Sequence, residues 1–431
     1  MTSDQRALLA GVNLNKQAHF DYSMQELEKL AEACGVTVTG KIIQNLQQIN
    51  QTTYIGSGKM DEITEMLEEN KSDIVIFNDE LSPSQIRNLE ESLQCKVIDR
   101  TMLILDIFSE RAKTREAQLQ VEVAALQYML PRLVGLRESL GRQVGGVGTK
   151  NRGVGEKKLE LDRRHIEDRI SLLRRELKDL TAHRQTQRKQ RLKIGIPTVA
   201  LVGYTNSGKS SLMNALLSLF GEAADKKVLE KDMLFATLET AVRKIKLPEN
   251  KEFLLTDTVG FVSKLPHHLV KAFRSTLEEV KEADLLIHVV DYANQDYHEQ
   301  IRVTNETLEE IGVTNIPMIY AYNKADLIEA ENRQPLKADA VLISAKEEMG
   351  MEELITHTKA HLFADYIHCE MLIPYREGAL VAFFNEHASV QTLEHQEEGV
   401  LIVMDCRQRD MEKHRQYVRS SEKDSSETDK K

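Results

Sequence analysis

The sequence predicts an α/β protein in three parts: an N-terminal α/β domain with an antiparallel helical hairpin, a domain with a mostly parallel sheet, and a small C-terminal α+β domain. Three observations predict it. Short apolar runs alternate with amphipathic stretches over residues 1–105, which favours a parallel sheet covered by helices. Two stretches with heptad spacing follow, separated by a glycine-rich segment. Beyond Pro197 the alternation of apolar runs and helical stretches resumes.

The N-terminal domain is predicted to span residues 1–105. Its expected strands are Ala7–Leu14, Ile74–Phe77 and Lys96–Ile98. Its expected helices are Met24–Ala33, Met60–Glu69 and Ser82–Leu93, the last with Pro83 in a first turn that tolerates proline. The Gly56–Lys59 tract (GSGK) looks like part of a phosphate loop but lacks the first glycine and the final Ser or Thr. A tight turn before a helix is the favoured interpretation, with a second nucleotide site as the alternative.

A helical hairpin is predicted over residues 106–196. The apolar seam of its first helix is Leu119, Val123, Leu126, Leu130 and Leu133, and that of the second is Leu159, Ile166, Ile170, Leu173, Leu177 and Leu180. Between them, Gly135–Gly155 holds seven glycines. So short a return favours pairing within one chain over dimerisation, which predicts a monomer when the protein is free. The tip carries a basic set of residues: Arg142, Lys150, Arg152, Lys157 and Lys158.

The charge of the chain is uneven. The net charge is −11, yet Arg137–Lys193 holds 17 Lys and Arg against 8 Asp and Glu. An acidic protein with one basic segment is expected to make one localised contact with a polyanion, and not to bind nucleic acid indiscriminately. The sequence has no apolar run long enough for a transmembrane segment and no signal peptide. Its four isolated cysteines fit reduced, buried thiols, which predicts a cytoplasmic protein.

The second domain, predicted over residues 197–362, begins with a phosphate-binding motif. Gly203–Ser210 (GYTNSGKS) fits G-x-x-x-x-G-K-[ST], follows the apolar strand Thr198–Val202 and precedes a helical run. Its backbone N–H groups would wrap phosphates at a helix N-terminus. Lys209 would reach the β- and γ-phosphates, and the Ser210 hydroxyl would bind Mg²⁺. The predicted nucleotide contacts here are Gly203, Tyr204, Thr205, Asn206, Ser207, Gly208, Lys209, Ser210 and Ser211.

A second motif, Asp257–Gly260 (DTVG), ends the apolar stretch that starts at Glu252. The Asp257 carboxylate can hold Mg²⁺ through a water, and the Gly260 N–H can contact the γ-phosphate and report its loss. An Asp-Thr turn after a buried strand is the alternative, and the distance from the first motif makes it improbable. The predicted contacts are Asp257, Thr258, Val259 and Gly260.

Two further motifs predict recognition of guanine. Asn323–Asp326 (NKAD) follows the apolar stretch Met318–Tyr322, and Ser344–Lys346 (SAK) follows Val341–Ile343. The Asp326 carboxylate would accept from the guanine N1–H and 2-amino group, donors that adenine lacks. The Ala345 N–H would face guanine O6. The predicted contacts are Asn323, Lys324, Ala325, Asp326, Ser344, Ala345 and Lys346.

A mobile threonine must complete the Mg²⁺ shell when the γ-phosphate is present. Thr237 is the first choice and Thr240 the competitor, within a segment whose predicted contacts are Phe235, Ala236, Thr237, Leu238 and Glu239. Lys209, Thr237 and Gly260 are the predicted catalytic residues. Phe261 follows DTVG, where many related enzymes have a glutamine that orients water, so hydrolysis is expected to be slow until a partner orders the switch loops. Asn206 could share K⁺ with the phosphates; equal turnover in Na⁺ and K⁺ would exclude this.

The remaining residues predict a small α+β domain over 363–419 and a disordered tail over 420–431. The expected strands are Ile367–Ile373 and Val400–Asp405, with a helix at Gly378–His387 between them. The tail is polar and charged and has no apolar spacing.

With these motifs in place, the chain resembles the HflX family of translation-associated GTPases over nearly its whole length. The most specific segments are QVEVAALQYMLPRL (Gln120–Leu133, with its continuation to Arg164) and DTVGFVSKLPHHLVKAFRSTLEE (Asp257–Glu279). The resemblance implies a hairpin that docks on the large ribosomal subunit and its rRNA, with the tip directed toward the peptidyl-transferase region. It also implies a Mg²⁺-dependent GTPase that converts GTP to GDP and splits stalled or idle ribosomes under stress. A ribosome-binding assembly or drug-displacement factor and a GTP-regulated adaptor are the alternatives.

Overall fold

The computed structural model describes residues 5–143, 160–180, 196–221, 234–235, 240–247, 251–266, 279–329, 331, 333 and 339–421, and for 133–143 and 421 it describes the backbone only. The predicted α/β architecture is confirmed. Three sheets follow one another along the chain, a four-stranded one, a six-stranded one and a second four-stranded one. The described part contains no helix that combines the length and apolar composition needed to cross a bilayer.

The first sheet is parallel, with strand order β2-β1-β3-β4. Its strands are β1 (Arg6–Leu14), β2 (Thr37–Leu46), β3 (Ile74–Phe77) and β4 (Lys96–Asp99). Helices α1 (Phe20–Ala33) and α4 (Arg100–Arg111) contribute to the core on one face, and α2 (Ser57–Asn70) and α3 (Pro83–Leu93) to the core on the other. Alternate residues of β1, such as Leu8 and Leu9, enter the two cores because successive side chains of a strand point to opposite faces.

Two elements of this domain were not predicted. Strand β2 lies at the edge of the sheet and buries only Ile42 among its ten residues, so its apolar pattern is weak. Helix α4 begins at Arg100 because the Asp99 carboxylate caps it, accepting from the Met102 N–H at 2.9 Å. Residue 105, the expected end of the domain, lies inside this helix.

Helix α3 begins where the sequence indicates. Ser82 and Gln85 form a capping box, in which each side chain accepts from the backbone N–H of the other, and Pro83 occupies the first helical position. The Gly56–Lys59 tract is the start of α2: Gly56 is the extended residue that precedes the helix, and Ser57–Lys59 belong to its first turn. The tight turn expected here therefore ends before Ser57, and Lys59 forms an ion pair with Glu62 at 2.5 Å within the helix.

The two heptad stretches form an antiparallel pair within the chain. Helix α5 (Arg115–Gln143) packs on the helix over 160–180, with Leu119, Val123, Ile170 and Leu173 buried between them. Ion pairs Arg115–Glu176 at 2.8 Å and Arg169–Glu122 at 2.7 Å show that the two helices run in opposite directions. Of the predicted tip residues, Lys150, Arg152, Lys157 and Lys158 lie outside the described residues, and for Arg142 only the backbone is described.

The second sheet has the order β10-β9-β8-β5-β7-β6 and is parallel except for β6. Its strands are β5 (Thr198–Val202), β6 (Ala241–Lys246), β7 (Glu252–Asp257), β8 (Leu285–Asp291), β9 (Met318–Asn323) and β10 (Ala340–Leu342). The hairpin helix over 160–180 is α6. The described helices beside the second sheet are α7 (Lys209–Phe220), α8 (Tyr297–Glu310) and α9 (Met351–Leu362). The central strands β5 and β8 read as continuous apolar runs because helices cover both faces of a parallel sheet.

The C-terminal sheet is antiparallel, with order β12-β13-β11-β14. Its strands are β11 (Tyr366–Ile373), β12 (Ser389–Gln396), β13 (Gly399–Arg407) and β14 (Val418–Ser421), with helices α10 (Gly378–His387) and α11 (Gln408–Lys413). The prediction that the tail starts at Ser420 is wrong by two residues, because Ser420 and Ser421 pair with β11. Backbone pairing at a sheet edge needs no apolar side chains. Among the four cysteines, Cys95 is half-buried, not buried as expected.

The first two domains share a core. Residues of the second domain that include Tyr204, Phe235, Val259 and Val262 pack with α1 and α4 of the first. The ring of Phe235 lies edge-on to Phe108 of α4, with ring centroids 4.6 Å apart. The first domain is therefore in direct contact with the segments that flank the predicted nucleotide site.

Candidate nucleotide-binding site

The predicted motifs meet at one edge of the second sheet. The loop Gly203–Ser210 follows β5, Asp257 ends β7, Asn323 ends β9, and Ser344 lies two residues after β10. These strands are parallel, so their carboxyl ends lie side by side. In open α/β sheets, ligands bind in the crevice outside these ends.

The phosphate loop has the backbone that its glycines allow. Gly203 and Gly208 have φ values of 146° and 94°, and Asn206 has a φ of 61°. A Cβ atom at position 208 would lie 2.2 Å from Nδ2 of Asn323, so glycine is required there sterically as well as conformationally. Helix α7 begins at Lys209, which places the N-terminus of a twelve-residue helix behind the loop. That arrangement favours an anion in the loop.

Lys209 is the buried cation of the site. Its ammonium donates to the backbone carbonyls of Gly203 at 3.1 Å and Tyr204 at 2.8 Å. Burial lowers the pKa of Lys209 to about 8, and the nearby Asp257 carboxylate opposes this shift. The pKa of the Lys209 amine is therefore only about one unit above neutral pH.

Two predicted Mg²⁺ ligands are brought together. The Ser210 hydroxyl donates to Oδ2 of Asp257 at 2.7 Å, although 47 residues separate them. A hydroxyl and a carboxylate are oxygen donors of the kind that Mg²⁺ takes up. The third predicted ligand, Thr237, lies outside the described residues together with Ala236, Leu238 and Glu239.

The NKAD motif connects the phosphate loop with the SAK loop. Asn323 is buried; its Nδ2 donates to the Ser207 carbonyl at 2.9 Å, and its Oδ1 accepts from the Ala345 N–H at 2.9 Å. Lys324 donates to the Asn206 carbonyl at 2.9 Å and to Asp291 Oδ2 at 2.7 Å. Side chains of the NKAD loop thus hold the phosphate loop and the SAK loop in place relative to each other.

A cleft of about 620 Å³ lies beside this junction. Asp326, the residue predicted to recognise the base, is exposed and lines this cleft. Of the predicted residues, the cleft is lined by Asn206, Gly208, Ser211, Asn323, Lys324, Asp326, Ser344, Ala345 and Lys346. Its size and its polar edge suit a nucleoside.

Several of the predicted nucleotide contacts make hydrogen bonds or packing contacts within the protein. The Ala345 N–H, expected to face guanine O6, donates to Asn323 instead. The Thr258 hydroxyl donates to the Leu201 carbonyl at 2.6 Å, which ties the DTVG segment to β5. Tyr204 and Phe235 turn their side chains into the core shared with the first domain, away from the cleft. Val259 lies in the same core, so these three residues can offer a nucleotide only their backbone.

Residues that sequence reasoning missed also shape the site. Asp291, the last residue of β8, anchors Lys324; its place at a strand end was the signal that could have found it. Asn214 and Ser218 of α7 line the cleft and follow Ser211 at helical spacing. His288 of β8 is buried, and burial together with the Lys209 charge lowers its pKa to about 3, so its ring is neutral.

The affinity for GDP is expected to fall as pH rises through the pKa of Lys209. A lysine with a lowered pKa near 8 is mostly charged at pH 7.5 and mostly neutral at pH 8.5. Phosphates bind the charged form, so Kd should increase about threefold over that interval. Calorimetric titration at constant ionic strength measures it, and a constant Kd would show that the charge of Lys209 does not govern binding.

Comparison with known proteins finds matches over most of the chain. A family model described as GTP-binding GTPase N-terminal matches residues 21–109, one described as GTP-binding GTPase Middle Region matches residues 111–191, and one described as 50S ribosome-binding GTPase matches residues 198–324. A crystal structure of a GTP-binding protein from Sulfolobus solfataricus in complex with GDP is 25% identical, covers 83% of this chain and 98% of its own, and has a TM-score of 0.42.

Two curated relatives are similar from end to end. A protein of Lacrimispora saccharolytica named GTPase HflX is 44% identical over 401 residues, which is 93% of this chain and 93% of the relative. A GTPase HflX of Caldanaerobacter subterraneus is 44% identical over 402 residues, which is 92% of this chain and 90% of the relative. Identity at this level extends through the first domain and the hairpin as well as the phosphate loop, and it confirms the resemblance seen in the motifs. The chain belongs to the HflX family of GTPases.

Proposed function

We propose that this GTPase binds the large ribosomal subunit through the tip of its helical hairpin and separates stalled or idle ribosomes into subunits. The observation that carries the proposal is the antiparallel pairing of α5 with the helix over 160–180. That pairing brings Arg115, at the start of α5, beside Glu176, near the end of the helix over 160–180, and in the sequence residues 144–159 connect the other ends of these two helices. A helix of 29 residues spans roughly 40 Å at 1.5 Å per residue.

The chemistry of the connecting segment fits an RNA surface. Lys150, Arg152, Lys157 and Lys158 lie within it, and Glu156 is its only acid. Contacts with phosphates are electrostatic, so they supply affinity that falls with salt. The family model described as 50S ribosome-binding GTPase supports the large subunit as the partner. We also propose that the protein is cytoplasmic, where ribosomes are, and that it is a monomer when free, because the two heptad helices pair within one chain.

In the nucleotide site, we assign the phosphates to the loop Gly203–Ser210 and the guanine to Asp326. Lys209 would neutralise charge that develops on the β–γ bridging oxygen as water attacks the γ-phosphate and GDP leaves. Mg²⁺, when bound, would polarise the phosphates; Ser210 would hold it directly and Asp257 through a water, with Thr237 joining them in the GTP state. K⁺ beside Asn206 stays a hypothesis.

Phe261 explains why a partner would be needed. Its side chain is buried in the core of the nucleotide domain among Val202, Val280 and Leu286, and it has no polar atom to orient the attacking water. Hydrolysis would therefore be slow in the free protein and faster when ribosome contacts order the switch segments. GTP would favour the bound state by contact of its γ-phosphate with Gly260, and hydrolysis would release the factor.

Sedimentation of ribosomes tests the proposal. With a non-hydrolysable GTP analogue, the protein should co-migrate with large subunits and the 70S peak should diminish; co-migration should weaken as salt is raised. Replacing Lys150, Arg152 and Lys157 by alanine should reduce binding at least about tenfold, because each of these cations would supply part of the electrostatic affinity for phosphate.

The matched control replaces three exposed basic residues of the helix over 160–180, Arg174, Arg175 and Lys178, by alanine. It removes the same charge far from the tip and should bind nearly as well as the parent. Intact 70S particles with bound protein would favour an assembly or drug-displacement factor. GTPase rates unaffected by large subunits, without co-migration, would favour an adaptor for another protein and end the ribosomal proposal.

A further inference from the structure

One carboxylate of the first domain lies buried against the nucleotide domain. Glu26 of α1 is 4% exposed, and Arg100 at the start of α4 is 1% exposed and donates to it. Arg100 is fixed in turn by Asn78, whose Oδ1 accepts from it at 3.0 Å. The ion pair is thus part of a buried hydrogen-bond network of the first domain, and breaking a buried charge pair of this kind would leave an uncompensated charge.

The remaining hydrogen bonds of this carboxylate go to the other domain. Oε1 of Glu26 accepts from the hydroxyl of Tyr204, the second residue of the phosphate loop, and Oε2 accepts from the hydroxyl of Ser263, three residues after DTVG. The Ser263 N–H also donates to the Tyr204 hydroxyl oxygen at 2.6 Å. Glu26 therefore joins the two segments that would contact the phosphates, although neither segment belongs to its own domain.

Backbone hydrogen bonds also join the phosphate loop to the segment after DTVG, closer to the nucleotide site. The Thr205 N–H donates to the Phe261 carbonyl at 2.8 Å, and the Phe261 N–H donates to the Gly203 carbonyl at 3.1 Å. Gly260 directly precedes Phe261 and packs against the same loop: a Cβ atom there would come within 2.9 Å of Nζ of Lys209 and 2.8 Å of Cα of Thr205. The position of the segment after DTVG thus sets the distance between Gly260 and Lys209.

A second interdomain contact follows directly in sequence. Lys264 donates to Oδ1 of Asp79 in the first domain at 2.5 Å, and this pair is partly exposed. Two consecutive residues after DTVG are therefore held by carboxylates of the first domain. The buried contact through Glu26 is the stronger restraint, because hydrogen bonds to a charge gain strength in a low dielectric.

We propose that Glu26 is a positioning residue for GTP hydrolysis, acting through the hydroxyls of Tyr204 and Ser263 to hold Gly260 against Lys209. Its carboxylate would not contact the nucleotide. Because the restraint comes from the first domain, movement of that domain would displace the γ-phosphate contacts, and a nucleotide-dependent shift of Gly260 would in turn be felt by the first domain. The coupling needs no contact between the hairpin and the nucleotide.

The test is Tyr204→Phe, which keeps the ring in the shared core and removes the hydroxyl. The single-turnover rate at saturating GTP should fall about tenfold while KM stays within about twofold, because a small displacement of positioned groups costs rate more than binding. Ser263→Ala should lower the rate in the same direction. The double variant should lose less than the product of the single losses, since both hydroxyls contact the same buried ion pair: Tyr204 donates to Glu26, and Ser263 donates to Glu26 and accepts from Arg100 at 3.0 Å.

The matched control is Tyr128→Phe. It removes another buried tyrosine hydroxyl from a carboxylate, that of Asp99 at 2.6 Å, and both residues of this pair precede the nucleotide domain in the chain. It should lower thermal stability as much as Tyr204→Phe and leave the rate unchanged. A Tyr204→Phe rate within twofold of the parent, or an equal loss of rate in Tyr128→Phe, would overturn the proposal.

Discussion

Replacing Asp326 by asparagine is expected to lower GTP affinity about a thousandfold and to create a preference for xanthosine triphosphate. Guanine offers two donors, N1–H and the 2-amino group, to an ionised carboxylate. Asparagine keeps one acceptor and turns an NH₂ donor toward the 2-amino group, so both charge-assisted hydrogen bonds are removed or weakened, at about 4 kcal/mol in total. Xanthine carries a carbonyl at that position, which accepts from the asparagine NH₂.

The structure makes this substitution easy to interpret. Asp326 is exposed at the rim of the cleft, so its replacement leaves no buried group without a partner. Calorimetric titration with GDP and with xanthosine diphosphate would measure the exchange, and the Kd of the variant for the xanthine nucleotide should lie within about tenfold of the parent's Kd for GDP.

A matched control is Asp284→Asn. Asp284 precedes β8 at the opposite edge of the same sheet, where its Oδ2 accepts from the Thr198 N–H at 2.8 Å. This variant should keep its preference for guanine even where its stability falls. If Asp326→Asn bound GDP as the parent does, the assignment of the base to this cleft would be wrong.

The site could be predicted from sequence because its parts are local. Gly203–Ser210 needs a strand, a turn with positive φ and a helix N-terminus, and all three are encoded within about twenty residues. The order of NKAD and SAK after apolar strands then places them at the same sheet edge, since parallel strands end together. Local patterns also predicted the strands β1 and β3, whose burial is continuous.

What could not be predicted depends on distant residues. Edge strand β2 has little burial to mark it, and β14 is a strand only because β11 offers it a free edge. Tyr204 was expected among the nucleotide contacts because of its place in the motif. Its hydroxyl is instead taken by Glu26, 178 residues earlier in the chain, and no spacing rule links the two.

A contact between residues far apart in sequence also explains why the role of the SAK loop was not fully predicted. The sequence assigns the Ala345 N–H to guanine O6. In the structure this N–H donates to the side-chain oxygen of Asn323. Asn323 thereby contacts both the phosphate loop and the SAK loop, so a change at either loop should be felt at the other. The motif predicts that Asn323 supports the base. In the fold, Asn323 also links the phosphate loop to the SAK loop.

Replacing Lys209 by alanine is expected to abolish nucleotide binding in practice, with Kd for GDP increased about a thousandfold. The ammonium is the buried cation beside the loop carbonyls, and its removal eliminates charge-assisted hydrogen bonds to phosphate of about 2 kcal/mol each. The free protein should stay folded: burial already disfavours this charge, as its pKa of about 8 shows, so the free energy of unfolding should change by no more than about 1 kcal/mol.

Lys59→Ala is the matched control, since Lys59 ends the GSGK tract that resembles a phosphate loop. It lies on the first turn of α2 and pairs with Glu62, so its removal costs little, as exposed pairs usually do. Titration with GDP should give a Kd equal to that of the parent. Failure of Lys59→Ala to bind, or binding by Lys209→Ala with the fold intact by circular dichroism, would place the phosphates in a different loop. The opposite result is expected because Ser210, next to Lys209 in the chain, donates to the Asp257 carboxylate at 2.7 Å, and these two side chains could hold Mg²⁺.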